Sequence, residues 1–402
     1  MVGRSAYLSM AFSNIGHLLT HLLMLLYPTV VLALEGRWGL TYGELLTLSV
    51  PGYVLYGLAA LPAGWLGDRW SAEAMMVIFF LGSGAVAIFT GLADSPLALG
   101  LGLGLIGVFG AIYHPVGVAW LVRNAENRGR VLGWNGIFGS IGVGAASFVA
   151  AALISVGSWR AAFIVPGMVC LAVGAALSFF VRSGHVVARK TDRKPEPEPG
   201  RADIRRAFIV LSVTMLSAGT IWQVLTVMMP KLFDQRLAGL THGGMLGTGG
   251  FVSLVFLVSG AMQIVGGFLA DRYSLRRIYL LAWAAQIPVL FVVMRMAELP
   301  LFAAITLIFC LEVITSPAEN SLLVRYTPGR WRATAFGAKF VLSIGVAAAG
   351  VPLVGIIHDA TGDFVWLFAI LGVLATIVVI AALFLPRDDR RPAIAPVAVA
   401  AE

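Results

Sequence analysis

Charge is scarce in this chain. Only 12% of its 402 residues are Asp, Glu, Lys or Arg, while 59% are hydrophobic. A soluble domain of that length needs far more charge to cover its surface, so a water-soluble globular protein is excluded. Cysteine is scarcer still. Cys170 and Cys310 both lie in apolar runs, which excludes a disulfide framework and leaves two buried thiols as the expectation. No nucleotide-binding glycine loop, nucleophile constellation or metal-ligand quartet can be drawn, which argues against an enzyme and against a cofactor. The net charge of +8 would suit a nucleic acid, but the basic residues sit in loops between apolar runs, which argues against a DNA-binding face.

Apolar sequence is abundant. A membrane-spanning helix needs about 20 mostly apolar residues. Twelve such runs fall near 7–34, 44–66, 74–93, 97–121, 132–156, 160–181, 207–233, 246–270, 277–296, 299–322, 335–357 and 363–385. The first run lacks a convincing cleavage site and continues past Pro28, so it reads as a retained helix. Forty-six glycines fit close helix packing in a bilayer. The expected fold class is an all-α membrane protein of 12 transmembrane helices in two six-helix halves, 1–181 and 207–385. Between the halves, residues 182–206 carry twelve charges and a Pro-Glu repeat, the composition of a solvated linker. The tail 386–402 reads as disordered.

The basic residues orient the helices. With both termini inside, the inner loops hold 22 of the 28 Lys and Arg, among them Arg69, Arg123, Arg272 and Arg325. That asymmetry places the termini in the cytoplasm of an inner-membrane protein.

The halves also repeat in sequence. "GWLGDRWS" (64–71) recurs as "GFLADRYS" (267–274), "HPVGVAWLVR" (114–123) as "SPAENSLLVR" (316–325), and "YP" (27–28) as "MP" (229–230). All three matches share an offset of 202 or 203 residues and occupy the same place in their halves. Two parallel six-helix repeats about an axis along the membrane normal resemble the major facilitator superfamily, and that resemblance implies a solute site near mid-membrane between the halves. The Gly-x-Leu-x-Asp-Arg stretch resembles the superfamily's signature loop, although Ser71 and Ser274 stand where glycine is usual and Glu73 where a basic residue is usual. Asp68, Arg69, Asp271 and Arg272 are read as gating or structural residues, with Asp68 a candidate helix cap or partner of loop arginines.

An ionisable residue inside the bilayer is a functional candidate because it is expensive to bury. Such residues are His17, His21, His114, Glu312, Glu319 and Lys339. At about 100° per residue, Asn14, His17, His21, Met24 and Pro28 share one helix face. The repeat sets Gly219, Gln223, Thr226 and Pro230 on the matching face of the seventh run, so His21 corresponds to Gln223. Pro28 and Pro230 each remove a backbone hydrogen bond and are candidate kinks. Glu319 and Lys339 lie at similar depth and are expected to pair, while Glu312 has no evident partner. Two imidazoles and the Met24 thioether would suit copper or zinc. No carboxylate or cysteine joins them on that helix, so no metal is expected. Protons or substrate are the favoured partners of the histidines.

"GHLLTHLL" in the first run and "GAIYHPVG" in the fourth resemble the fosmidomycin-resistance type of transporter, which His17, His114 and Pro115 match. That branch carries an acidic residue where this chain has His21, and the glycine-proline signature of drug antiporters is missing from the fifth run. The resemblance implies proton-coupled export of a small organic molecule. On that reading Glu312 and His21 are the leading titrating groups, and His17, His114, Gln223, Tyr53, Tyr56 and Trp222 line the cavity. The protein is expected to be a monomer, with a small-molecule substrate, protons and the lipid bilayer as its partners. Two rivals remain: uptake of an organic anion, with Lys339 and the histidines supplying positive charge, and a non-transporting receptor or assembly factor.

Overall fold

The computed structural model describes residues 3–124, 128–186, 201–327 and 332–386. The tail beyond Pro386, the linker segment 187–200 and the side chain of Asp68 lie outside the described residues. Within them the chain is helical, without a strand.

Twelve helices are long and apolar enough to cross a membrane. They are α1 (Arg4–Leu34), α2 (Tyr42–Gly67), α3 (Ala72–Gly91), α4 (Pro96–Asn124), α5 (Val131–Val156) and α6 (Ala161–Arg182) in the first half. The second half holds α7 (Ile204–Arg236), α8 (Met245–Arg272), α9 (Leu275–Arg295), α10 (Glu298–Tyr326), α11 (Ala335–Thr361) and α12 (Val365–Leu383). The α7 helix is already wound at Arg201, inside the segment read as linker.

Each half repeats one packing scheme. In the first half α1 packs on α5, α2 on α4, α3 on α4, and α3 on α6. The second half repeats it as α7 on α11, α8 on α10, α9 on α10, and α9 on α12. The halves meet along α2 against α11 and α5 against α8. Where α2 crosses α11, a Cβ added at Gly57 would lie 2.7 Å from the Cα of Gly345, so only glycine permits that approach. On the other seam Ser253 Oγ of α8 accepts from the amide of Phe148 of α5 at 3.0 Å.

Proline does not act alike at the two related positions. The hydrogen-bonded ladder of α1 is interrupted at Leu26, which keeps helical φ −62° and ψ −42°, with Pro28 in the first turn that follows. Pro230 sits inside an unbroken α7, so only the first of the pair lies beside an interrupted ladder. Pro115 lies in a π-helical turn, Tyr113–Gly117, within α4. Such turns often mark functional positions, and this one presents His114.

The two ends of the bundle differ. On the face away from the termini, Lys231 Nζ of α7 lies 2.7 Å from Glu35 Oε2 after α1. Asp359 of α11 accepts from the Thr41 hydroxyl at 2.6 Å and the Gly43 amide at 3.2 Å. These contacts tie the first half to the second. On the terminal face the arginines of the two Asp-Arg stretches contact their own helices. Arg69 lies over the ring of Trp65 at 4.4 Å and Arg272 over Phe268 at 4.2 Å, each within its own helix. Asp271 is exposed, and Arg123 donates to the carbonyl of Ala119 at 3.4 Å. The cap on α3 is Ser71, whose Oγ accepts from the Ala74 amide, and Ser274 does the same for α9. Serine at these positions therefore supplies the helix caps.

Candidate transport site

His17 and His21 lie one helical turn apart on α1, so their rings face the same way, with centroids 5.0 Å apart. The π-helical turn of α4 brings His114 to 5.3 Å from each of them. One nitrogen from each of the three rings lies within 4.8 Å of the others. The sequence placed the first two on one face, but only packing brings in the third.

The His17 ring is tightly held. Its Nδ1 is 2.7 Å from the backbone oxygen of Asn135 on α5. A carbonyl only accepts, so Nδ1 carries the proton and Nε2 presents the lone pair in the neutral ring. Tyr113 stacks on the same ring at 4.9 Å. Gly139 makes room for it, since a Cβ there would lie 2.5 Å from the imidazole. Asn135 ties the surroundings together, donating to Asn14 Oδ1 at 2.9 Å and to the Tyr113 hydroxyl at 2.8 Å. It is a positioning residue that a search for ionisable groups misses. Its only signal is an amide inside an apolar run, "GWNG". His114 reaches the other half, stacking on Phe340 of α11 at 4.8 Å.

The second half holds the carboxylates. Lys339 Nζ lies 2.7 Å from Glu319 Oε1 and 2.7 Å from Asn320 Oδ1, and Glu319 Oε2 accepts from the Tyr279 hydroxyl at 2.9 Å. Lys339 is therefore neutralised where it stands. Glu312, two turns before Glu319 on the same face of α10, is 7% exposed, and its Oε2 has no hydrogen-bond partner among the described residues. The same holds for Gln223 Nε2, Thr226 Oγ1 and the Tyr56 hydroxyl, all buried. Unpartnered buried atoms also occur elsewhere among the described residues, at Ser83, Trp283 and Gln286 for example, so they do not mark the site by themselves; these four matter because they lie with the ionisable groups. Tyr53 is buried, with its hydroxyl 3.5 Å from the Met24 carbonyl, and it faces Gln223 across the seam. Trp222 packs between Phe256 and Phe309, at 6.0 and 5.1 Å, within the second half's aromatic core.

Sequence marked Glu73 only as a departure from the signature loop, and the structure gives it a role. Glu73, at the start of α3, is 6% exposed and accepts from the Trp120 indole at 3.0 Å and the Ser71 hydroxyl at 2.9 Å. It braces α3 against α4.

The Major Facilitator Superfamily profile matches residues 13–346. Among curated relatives, the chain is similar to the nitrite extrusion protein of Bacillus subtilis (26% identical over 251 residues), spanning 61% of this chain and 60% of that one. The probable sulfoacetate transporter SauU of Cupriavidus necator is 25% identical over 381 residues, 86% of each chain. The multidrug resistance protein MdtG of Erwinia billingiae is 32% identical over 128 residues, 31% of each. Of solved structures, a peptide transporter in complex with sulfate aligns with TM-score 0.75 at 14% identity, covering 95% of this chain and 93% of that one. An inward-facing bacterial homologue of the lysosomal transporter Spinster aligns at 0.68 with 15% identity, covering 94% and 95%. At such identities the structures speak for the fold alone. The profile, however, covers most of the sequence: this chain belongs to the major facilitator superfamily, and it is a multi-pass membrane transporter, not an enzyme.

Proposed function

We propose that the protein is a proton-coupled exporter of a small organic solute, working by alternating access as a monomer in the inner membrane with both termini cytoplasmic. The carrying observation is Glu312, a buried carboxyl in mid-span with an unpartnered oxygen, beside a Glu319–Lys339 pair that neutralises itself. A carboxyl without an ion partner in a membrane span suits a proton carrier, because gaining or losing its proton changes the charge the halves must accommodate. Gln223, Thr226 and Tyr56 supply unpartnered polar atoms for a solute, with Tyr53, His17 and His114 alongside. His21 is assigned to the imidazole cluster, and the proton to Glu312. Two of the relatives above are named for extrusion and multidrug resistance, and the "GHLLTHLL" and "GAIYHPVG" stretches resemble the fosmidomycin-resistance type.

A second reading, proton-coupled uptake of a small organic anion, is favoured by the sulfoacetate transporter relative, which aligns over 86% of each chain. Flux into liposomes under an imposed pH gradient, screened over labelled solutes, tests both. Export by antiport moves solute against the proton flow, and the movement stops when an ionophore collapses the gradient. Solute moving with the protons overturns export in favour of the second reading. Flux indifferent to the gradient overturns proton coupling.

A further inference from the structure

We propose that His17, His21 and His114 form a binding site for one divalent transition-metal ion of the imidazole-preferring class, such as zinc, cobalt, nickel or copper. This goes beyond the transport reading and holds whatever the direction or coupling of transport.

Three observations carry it. The first is convergence: three imidazoles from two helices present nitrogens within 4.8 Å of one another. Ligands of a tetrahedral ion bound at about 2.1 Å lie about 3.4 Å apart, so the widest pair of nitrogens must close by up to about 1.4 Å, through rotation of the side chains. The second is the tautomer. The Asn135 carbonyl accepts a hydrogen bond from His17 Nδ1–H, which leaves the Nε2 lone pair for an ion, and fixing a histidine ligand through its other nitrogen is the usual outer arrangement of a metal site. The third is the cradle. Gly139 gives His17 its space, Tyr113 and Phe340 stack on His17 and His114, and His21 and His114 make no hydrogen bond among the described residues. Two imidazoles are thus held in place without a polar partner of their own.

The donor set chooses the ion. Nitrogen ligands without a carboxylate suit zinc, copper, nickel and cobalt rather than magnesium or calcium, which take oxygen. Three ligands leave a position of a tetrahedral ion open for water or for a donor atom of the solute. Sequence alone argued against a metal because it offered two imidazoles on one helix. The structure adds the third ligand.

The test uses the full chain purified in detergent without a polyhistidine tag, with Co2+ as the probe. The expected result is one Co2+ per chain, with the intense visible absorption of four-coordinate cobalt, displaced by Zn2+. His21→Ala and His114→Ala should each weaken binding by more than the roughly 10- to 100-fold that loss of an outer-shell partner costs. A variant lacking the other three histidines (His185, His242 and His358, each changed to Ala) should bind as the parent does. Should the cluster variants fail to fold, nitrogen hyperfine structure in the Cu2+ spectrum of the unaltered protein decides, with three imidazole nitrogens expected. No stoichiometric binding, binding that survives His21→Ala, loss in the control variant, or fewer than three imidazoles would each overturn the proposal.

Discussion

The two halves share one set of helix pairings and carry opposite chemistry. In the first half the bilayer interior holds three imidazoles, gathered by α1 and α4. In the second it holds a neutralised Glu319–Lys339 pair and a Glu312 whose Oε2 is unpartnered. A common scaffold therefore does not dictate a common site, which is why function here is argued from residues and not from the fold. On the two proposals above, the cation falls to the first half and the proton to the second, while both halves contribute contacts to the solute.

The largest expected effect breaks the second half. Lys339→Met leaves Glu319 as an uncompensated buried charge, a loss of roughly 3–5 kcal/mol. The double variant Glu319→Gln with Lys339→Met should recover most of it. In the first half His21→Gln removes no hydrogen bond among the described residues and should cost about 1 kcal/mol, the ordinary size for one substitution. Thermal unfolding of the four proteins in detergent checks the contrast. Equal losses from Lys339→Met and His21→Gln would erase the difference between the halves.

A smaller effect sharpens a second contrast, between the far face, where the halves are tied, and the terminal face. Lys231→Gln removes the 2.7 Å tie to Glu35, a partly exposed pair worth less than about 1 kcal/mol. That is enough to shift a near-balanced equilibrium between conformations several-fold without harming stability. Spin-label distances between the far-face ends of α1 and α7 should broaden toward longer values in the variant. An unchanged distribution would mean that Asp359, bonded to Thr41 and Gly43, closes that face alone.

The fold was largely legible in sequence because the bilayer demands long apolar helices and the repeats fixed the halves. Of the site, the face shared by His17 and His21 and the pairing of Glu319 with Lys339 followed from helical spacing and depth. The approach of His114 did not, since it depends on how α4 packs on α1 and on a π-helical turn that spacing does not reveal. Asn135 escaped because it carries no charge. Glu35, Lys231 and Asp359 looked like ordinary loop and helix-end charges until the ends of α1, α7 and α11 were brought together. The related prolines, alike in sequence, differ in that only α1 has its hydrogen-bonded ladder interrupted beside the proline.

The central claim, that Glu312 carries the coupled proton, is tested most directly by Glu312→Gln in liposomes. Glutamine keeps the shape, and the Oε2 it replaces has no partner to lose. The account predicts that the variant still exchanges labelled solute across the membrane but no longer accumulates it in response to a pH gradient. Accumulation equal to that of the parent protein would contradict it.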